Sequence, residues 1–254
     1  MTLLESRRME QGTRGFSLIE MAVVMMIMGL LLGGLFTAIG QSTENTRRTD
    51  TLAQLTLIEE ALYGYAQAYG RLPCPSTDAT AGVEAPAVPV ANGDCTVVHG
   101  FVPHVTLGIQ SQPTANGLLV DAWRNPIRYT VSSLQSGANR VFTSTLGMRA
   151  QFASATPIVP NVATLPCISD APACAGVVQA NTVPALAFSM GRNALTFTSA
   201  DELENVGAVL GSFQVPGDYE FVSDTYSEAN YDDLMIWLSP NVLFSRLVAA
   251  GRLP

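Results

Sequence analysis

The sequence predicts an α+β fold, one long N-terminal helix packed on an antiparallel β-sheet head. Residues 16–69 contain no proline and read first as a continuous apolar run, then as an amphipathic helical pattern. Beyond residue 70 the pattern changes to short β-branched or aromatic runs split by Gly, Asn, Pro and Ser. A sheet with one apolar face and a helix with one apolar stripe bury each other, which is the α+β layer solution.

The chain of 254 residues has room for one ordinary domain plus an appendage. Hydrophobic residues make up 48%, enough for a core, and charged residues only 13%. The net charge is −8, and all 13 basic residues are Arg. An acidic chain without basic clusters argues against nucleic-acid binding. The absence of Lys excludes Schiff-base chemistry, P-loops and Lys isopeptide crosslinks.

The first element is the apolar run of residues 16–40, which holds one charge, Glu20. At helical rise it spans roughly 37 Å, more than the ~30 Å hydrocarbon core of a bilayer. Arg7, Arg8 and Arg14 outweigh Glu5 and Glu10 on its N-terminal side. The positive-inside rule then puts the N-terminus in the cytoplasm and the rest of the chain outside it. The run is too long for a signal-peptide core, and no A-x-A-like site follows it. A carboxylate in such a segment is costly and points to function. Either Glu20 snorkels to the interface or it awaits a cationic partner from another chain.

Gly15-Phe16-Ser17-Leu18-Ile19-Glu20, behind a short basic leader, resembles the prepilin signature of type IV pilins and type II secretion pseudopilins. The resemblance implies that residues 1–15 are a leader, cut after Gly15 by a prepilin peptidase. Phe16 then becomes the N-methylated first residue. Glu20 would pair with the Phe16 amine of a neighbouring subunit. Two opposite charges that meet within a membrane cost less than either alone. Unlike many type IV pilins, this chain has no proline kink in the membrane segment.

The helix is expected to continue through residues 41–70. Leu55, Ile58, Leu62, Tyr65 and Tyr69 recur at helical spacing and form one apolar face, with Glu59 and Glu60 outside it. Gly70 reads as the residue after the helix and Pro73 as a stop. A helix of about 54 residues would span ~80 Å, half in the membrane and half packed on the head.

The head is expected over residues 71–254. Its strand-like runs are 96–102, 126–133, 140–146, 184–190 and 233–239. Residues 75–95 and 150–183 read as long loops. The tetrapeptide Gly-Arg-Leu-Pro occurs at 70–73 and again at 251–254, each time after a helical pattern.

Cys74, Cys95, Cys167 and Cys174 all lie in the exported part, where an even count suggests disulfides. Proximity favours 74–95 and 167–174, though other pairings are possible. Neither pair has the C-x2–4-C spacing of zinc sites. His99 and His104 read as solvated loop or strand-edge residues rather than metal ligands.

Asp121-Ala122-Trp123-Arg124-Asn125-Pro126-Ile127-Arg128-Tyr129 resembles the D-x-W-G-N-P-x-x-Y segment of pseudopilins, with Arg124 in place of the Gly. It reads as a turn capped by Asp121, then an edge strand, with Trp123 covering the core. The segments at 187–194 and 230–237 resemble the family's F-S-x-G and D-I-x-x-W segments. In major pseudopilins the loop between them binds calcium. Here that loop carries Asp201, Glu202, Glu204, Asp218, Glu220, Asp224, Glu228, Asp232 and Asp233. Such oxygen density suits Ca²⁺, with Asp232 and Asp233 the first candidates; the competing reading is a solvated acidic loop.

At the C-terminus Ser239 is placed to N-cap a helix with Pro240 at its first position. Val242, Leu243, Phe244, Leu247 and Val248 would form its apolar face, and Gly251 would end it.

No catalytic triad, carboxylate pair or phosphate loop occurs, so a non-enzymatic role is expected. The resemblance implies a pilin-like subunit drawn from the bacterial inner membrane into a filament. Its partners would be other pilin or pseudopilin subunits, the prepilin peptidase and an inner-membrane assembly platform. The mature chain, 239 residues once residues 1–15 are removed, is large for a major subunit and suggests a minor one. The alternative is a membrane-anchored extracytoplasmic binding module or adhesin that joins no filament.

Overall fold

A computed structural model describes residues 15–254 apart from 111–113, 115, 155, 195, 197–198, 207–217 and 228–229; the side chains of residues 32–41 are also outside the description. The expected leader thus lies outside the described residues, save for Gly15. Contacts divide the chain into a unit ending at Thr46 and a unit from Arg47 to Pro254. Helix α1 runs over Leu18–Tyr69. The unit from Arg47 therefore includes the second half of this helix together with residues 71–254.

In that unit the 3- and 4-residue spacing of α1 has its expected consequence. Leu55, Ile58 and Leu62 are fully buried, together with Tyr63 and Ala66. Burying each leucine stabilises the fold by about 2 kcal/mol. Tyr69 departs from the expectation and is exposed; it lies in the last turn, where its ring stacks on Tyr65. Gly70 follows with φ +72, a left-handed C-cap conformation that glycine adopts without steric cost.

The principal sheet is four-stranded and antiparallel, in the order β1 (His99–Phe101), β2 (Arg128–Val131), β7 (Ala185–Ser189), β9 (Leu234–Trp237). Side-chain alternation gives it two buried faces. Tyr129, Val131, Ala185 and Ala187 join the core built on α1, while Leu186 and Phe188 enter a second cluster. That cluster is closed by a second sheet, β6 (Val178–Ala180), β5 (Cys167–Ser169) and β8 (Glu220–Val222), and by α4 (Ala200–Val206).

Several sequence expectations need correction here. The β5–β8 pairing is parallel, so the head is not wholly antiparallel. Residues 150–183 hold β5, β6 and a 3₁₀ turn at Pro172–Cys174 rather than one long loop. Strand β2 is interior, not an edge. The run 140–146 is no strand: β3 (Gln135–Ser136) pairs with β4 (Asn139–Arg140), and Thr145 opens helix α3 (Thr145–Ser154). The Ser144 hydroxyl accepts the Gly147 amide at that helix start. His99 and His104 are buried rather than solvated. His99 lies on β1 with Nδ1 3.0 Å from Thr130 Oγ1, and His104 begins the short helix α2 (His104–Leu107).

The C-terminal helix α5 (Pro240–Ala249) has Pro240 at its first position, yet the Ser239 side chain makes no capping bond. Leu243 and Leu247 are buried, whereas Val242 and Val248 are exposed. The two Gly-Arg-Leu-Pro copies both end helices. Gly70 and Gly251 have positive φ, and Leu72 and Leu253 are buried. Their arginines diverge. Arg252 donates to the carbonyls of Gln67 and Ala68 at the end of α1, while Arg71 turns inward to Glu84.

Candidate functional site

Gly15 and Phe16 precede α1 as non-helical, exposed chain. Ser17 starts the helix: its carbonyl and its hydroxyl both accept the Glu20 amide, at 3.1 and 3.2 Å. Ser17 and Glu20 have the spacing of a capping box, a role for Ser17 that sequence reasoning missed although S-x-x-E is its signal. A Cβ added at Gly15 would meet nothing within 4 Å. The fold therefore gives no reason for glycine there. Glu20 is exposed, and so are the apolar side chains around it, with Leu18 at 91% and Ile19 at 74%. Among the described residues no helix is long and apolar enough to cross a membrane. Of the expected segment 16–40, the side chains from residue 32 onward lie outside the description.

Residues 11–36 match the family profile described as the prokaryotic N-terminal methylation motif. This stretch is the type IV pilin and pseudopilin signature. It marks a type IV pilin-like protein processed by prepilin peptidase. The match covers the N-terminal segment alone. No curated protein and no solved structure matches the chain.

In the head of this pilin-like chain, three carboxylates that are distant in sequence converge. Glu202 comes from α4, and Asp232 and Asp233 from the entry to β9; all three are buried, with ligand oxygens within 4.8 Å of one another. Backbone amides of Arg192 and Asn193 donate to Asp232 Oδ2 at 2.9 and 3.3 Å. Asn193 Nδ2 donates to both Glu202 oxygens, at 3.1 and 3.0 Å. The Asp232 amide donates to Glu202 Oε1 and Asn205 Nδ2 to Asp233 Oδ2.

Three oxygens of this cluster have no hydrogen-bond partner among the described residues: Asn193 Oδ1, Asp232 Oδ1 and Asp233 Oδ1. Burial pushes the Asp232 carboxyl up to about 6, with the neighbouring Glu202 adding to the shift. Burial likewise raises Asp233 well above the usual carboxylate range, against the Asn205 hydrogen bond. Buried acceptors normally find donors, and buried carboxylates need a counter-charge. A donor set made only of carboxylate and amide oxygens fits a hard cation such as Ca²⁺. The other acids, Asp201, Glu204, Asp218, Glu220 and Asp224, are half-buried or exposed, and Glu228 lies outside the described residues. Sequence reasoning found Asp232 and Asp233 and counted Glu202 among nine acids, but gave no role to Asn193 or Asn205. Nothing local distinguishes these two, because their partners lie across the fold.

The segment 121–125 meets the same region from the other side. Asp121 Oδ1 accepts the amides of Trp123 and Asn125 at 2.9 and 2.8 Å, which is the expected turn cap. Arg124 stands in this turn with φ +72. Asp121 Oδ2 accepts the Ser189 hydroxyl at 2.5 Å, and Asn125 Nδ2 donates to the Gly191 carbonyl at 2.6 Å. Trp123 is partly buried against the core, as expected.

Disulfides join Cys74 to Cys95 and Cys167 to Cys174, with Cα–Cα distances of 5.4 and 6.2 Å. No cysteine is left free as a nucleophile or zinc ligand.

Proposed function

We propose that the chain is a structural, minor subunit of a type IV pilus-like filament or type II secretion pseudopilus, without enzymatic activity. It is held in the inner membrane with its N-terminus cytoplasmic and its head periplasmic, trimmed after Gly15, methylated at Phe16 and drawn into the filament by an assembly platform. The observation that carries this reading is the methylation motif at residues 11–36. The exposed apolar side chains of residues 16–31 support it. In lipid or in a filament core they would exchange one apolar environment for another. Glu20, exposed among them, is the acid expected to receive the neighbour's Phe16 amine. The three segments that resemble pseudopilins meet around one site in the head, which favours the secretion filament over the pilus.

The same site is read as a calcium site held by Asn193, Glu202, Asp232 and Asp233. The three partnerless oxygens support this reading. Bound calcium would supply positive charge to the buried carboxylates. The chain's own contribution is to fix those oxygens through the amides of Arg192 and Asn193 and the side chain of Asn205.

Intact mass and N-terminal labelling test the filament reading. The chain has no Lys, so its only primary amine is the N-terminus. Protein from cells with prepilin peptidase is expected to begin at Phe16 with a methylated amine that resists primary-amine reagents. Protein from cells lacking the peptidase keeps the leader and one reactive amine. A leader retained in both strains, or a cut near residue 40, would leave an anchored or secreted binding module instead.

A further inference from the structure

The contacts of Gly191 have a consequence for the site in front of it. Gly191 sits at φ +59, and a Cβ there would lie 2.3 Å from Asp232 Oδ1. The Asp232 carboxylate therefore rests directly on the Gly191 backbone, an approach only glycine permits. The two residues that follow provide the Arg192 and Asn193 amides for Asp232 Oδ2, and Asn193 also brings a partnerless oxygen. The position of Gly191 thus sets three contacts of the carboxylate cluster.

Gly191 is itself held from behind. Its carbonyl accepts Asn125 Nδ2 at 2.6 Å, and its amide donates to Ser189 Oγ at 3.1 Å. Ser189 is in turn fixed by Asp121 Oδ2. The turn that carries Asp121 and Asn125 is anchored on α1: the Ala122 amide reaches Thr51 Oγ1 at 3.3 Å, and Gln54 Nε2 donates to the Val120 carbonyl at 2.9 Å. An unbroken series of hydrogen bonds therefore runs from α1 through the 121–125 turn to the backbone against which Asp232 is packed.

We infer that Asn125 is a positioning residue for the cation site, holding Gly191–Asn193 in the geometry that presents the Asp232 and Asn193 oxygens to the ion. This rests on the calcium reading above and assigns the site a support outside its own ligands. Residues that orient ligands without touching the ion typically change metal affinity by about 10–100-fold when removed.

The test is Ca²⁺ titration of the full-length protein in detergent, followed by calorimetry and by displacement of Tb³⁺ luminescence. It compares wild type, Asn125→Ala and Thr143→Ala. Thr143 is buried and donates to the Gly93 carbonyl, away from the cluster, so its variant measures what destabilisation alone does to Kd. Asn125→Ala is expected to raise the Ca²⁺ Kd about tenfold or more, with Thr143→Ala close to wild type. Asn125→Ser keeps a turn-forming residue but cannot reach Gly191, and takes its place where the alanine variant does not fold. Equal Kd values for wild type and the Asn125 variants would overturn the inference while leaving the calcium site intact. A wild-type protein that binds no Ca²⁺ would overturn the calcium reading, and this inference with it.

Discussion

Arg71 and Glu84 form a two-point ion pair inside the head, Nη1 to Oε2 at 2.9 Å and Nη2 to Oε1 at 2.8 Å. Both side chains are nearly inaccessible, at 10% and 6%. Tyr65 of α1 donates to Glu84 Oε1 and accepts from Arg71, and the Cys74 amide donates to Glu84 Oε2. The pair therefore ties the end of α1 to the disulfide-closed segment 74–95. Removing one partner leaves an uncompensated buried charge, which costs about 3–5 kcal/mol. Arg71→Ala should lose that much in urea denaturation; a loss below about 1 kcal/mol would mean that the pair behaves like an exposed one.

Gly15 has open space around it, so a larger residue there does not disturb the fold. Gly15→Val should leave the thermal melt of the protein unchanged while the leader stays attached in cells that contain prepilin peptidase. Intact mass reads the leader and calorimetry the fold. Normal trimming of Gly15→Val would remove the peptidase as the reason for this glycine.

Three buried carboxylates repel one another without a cation, so losing one charge has opposite effects in the two states. Asp233→Asn should be as stable as wild type or more so in chelator. It should lose the stabilisation that Ca²⁺ gives wild type, about 2.7 kcal/mol when the ion is at one hundred times its Kd. Melting curves with and without Ca²⁺ decide it; an equal calcium shift in both proteins would contradict Asp233 as a ligand.

Arg124 occupies a left-handed conformation, φ +72, which costs an L-residue with a side chain roughly 1–2 kcal/mol. Part of the relief on substitution is lost to the greater freedom of glycine in the unfolded chain. Arg124→Gly should therefore stabilise the head by up to about 1 kcal/mol. Destabilisation would show that the arginine makes contacts worth more than the strain.

Burial depresses the His99 imidazole to about 4. Its folded value lies below the unfolded one, near 6.5, so between these limits the unfolded chain binds more protons. The stability tied to neutral His99 is complete above about pH 6.5 and is lost as pH falls toward 4. The stability difference between wild type and His99→Phe should shift against wild type across that window, by at most about 1.4 kcal/mol per pH unit. A difference that is constant from pH 7 to 4 would mean that His99 titrates normally in the folded chain.

The sequence by itself determined those features whose causes lie within a few residues. Spacing of 3 and 4 fixed the buried face of α1 at Leu55, Ile58 and Leu62, and glycine after each helix fixed the ends at Gly70 and Gly251. The β-branched and aromatic runs located β1, β2, β7 and β9. Local pattern misled at 140–146, where Val141 and Phe142 look strand-like. The chain instead turns at 141–143 and continues as α3, with Gly147 against the Arg140 carbonyl. Tertiary structure alone assembled the carboxylate cluster of Glu202, Asp232 and Asp233. Asp121 and Ser189 are 68 residues apart, Glu202 and Asp232 30 apart, and only the packing of the turn, α4 and the sheet brings them together. Burial then gives those polar groups their character, because a carboxylate shielded from water behaves unlike the same residue in an exposed loop.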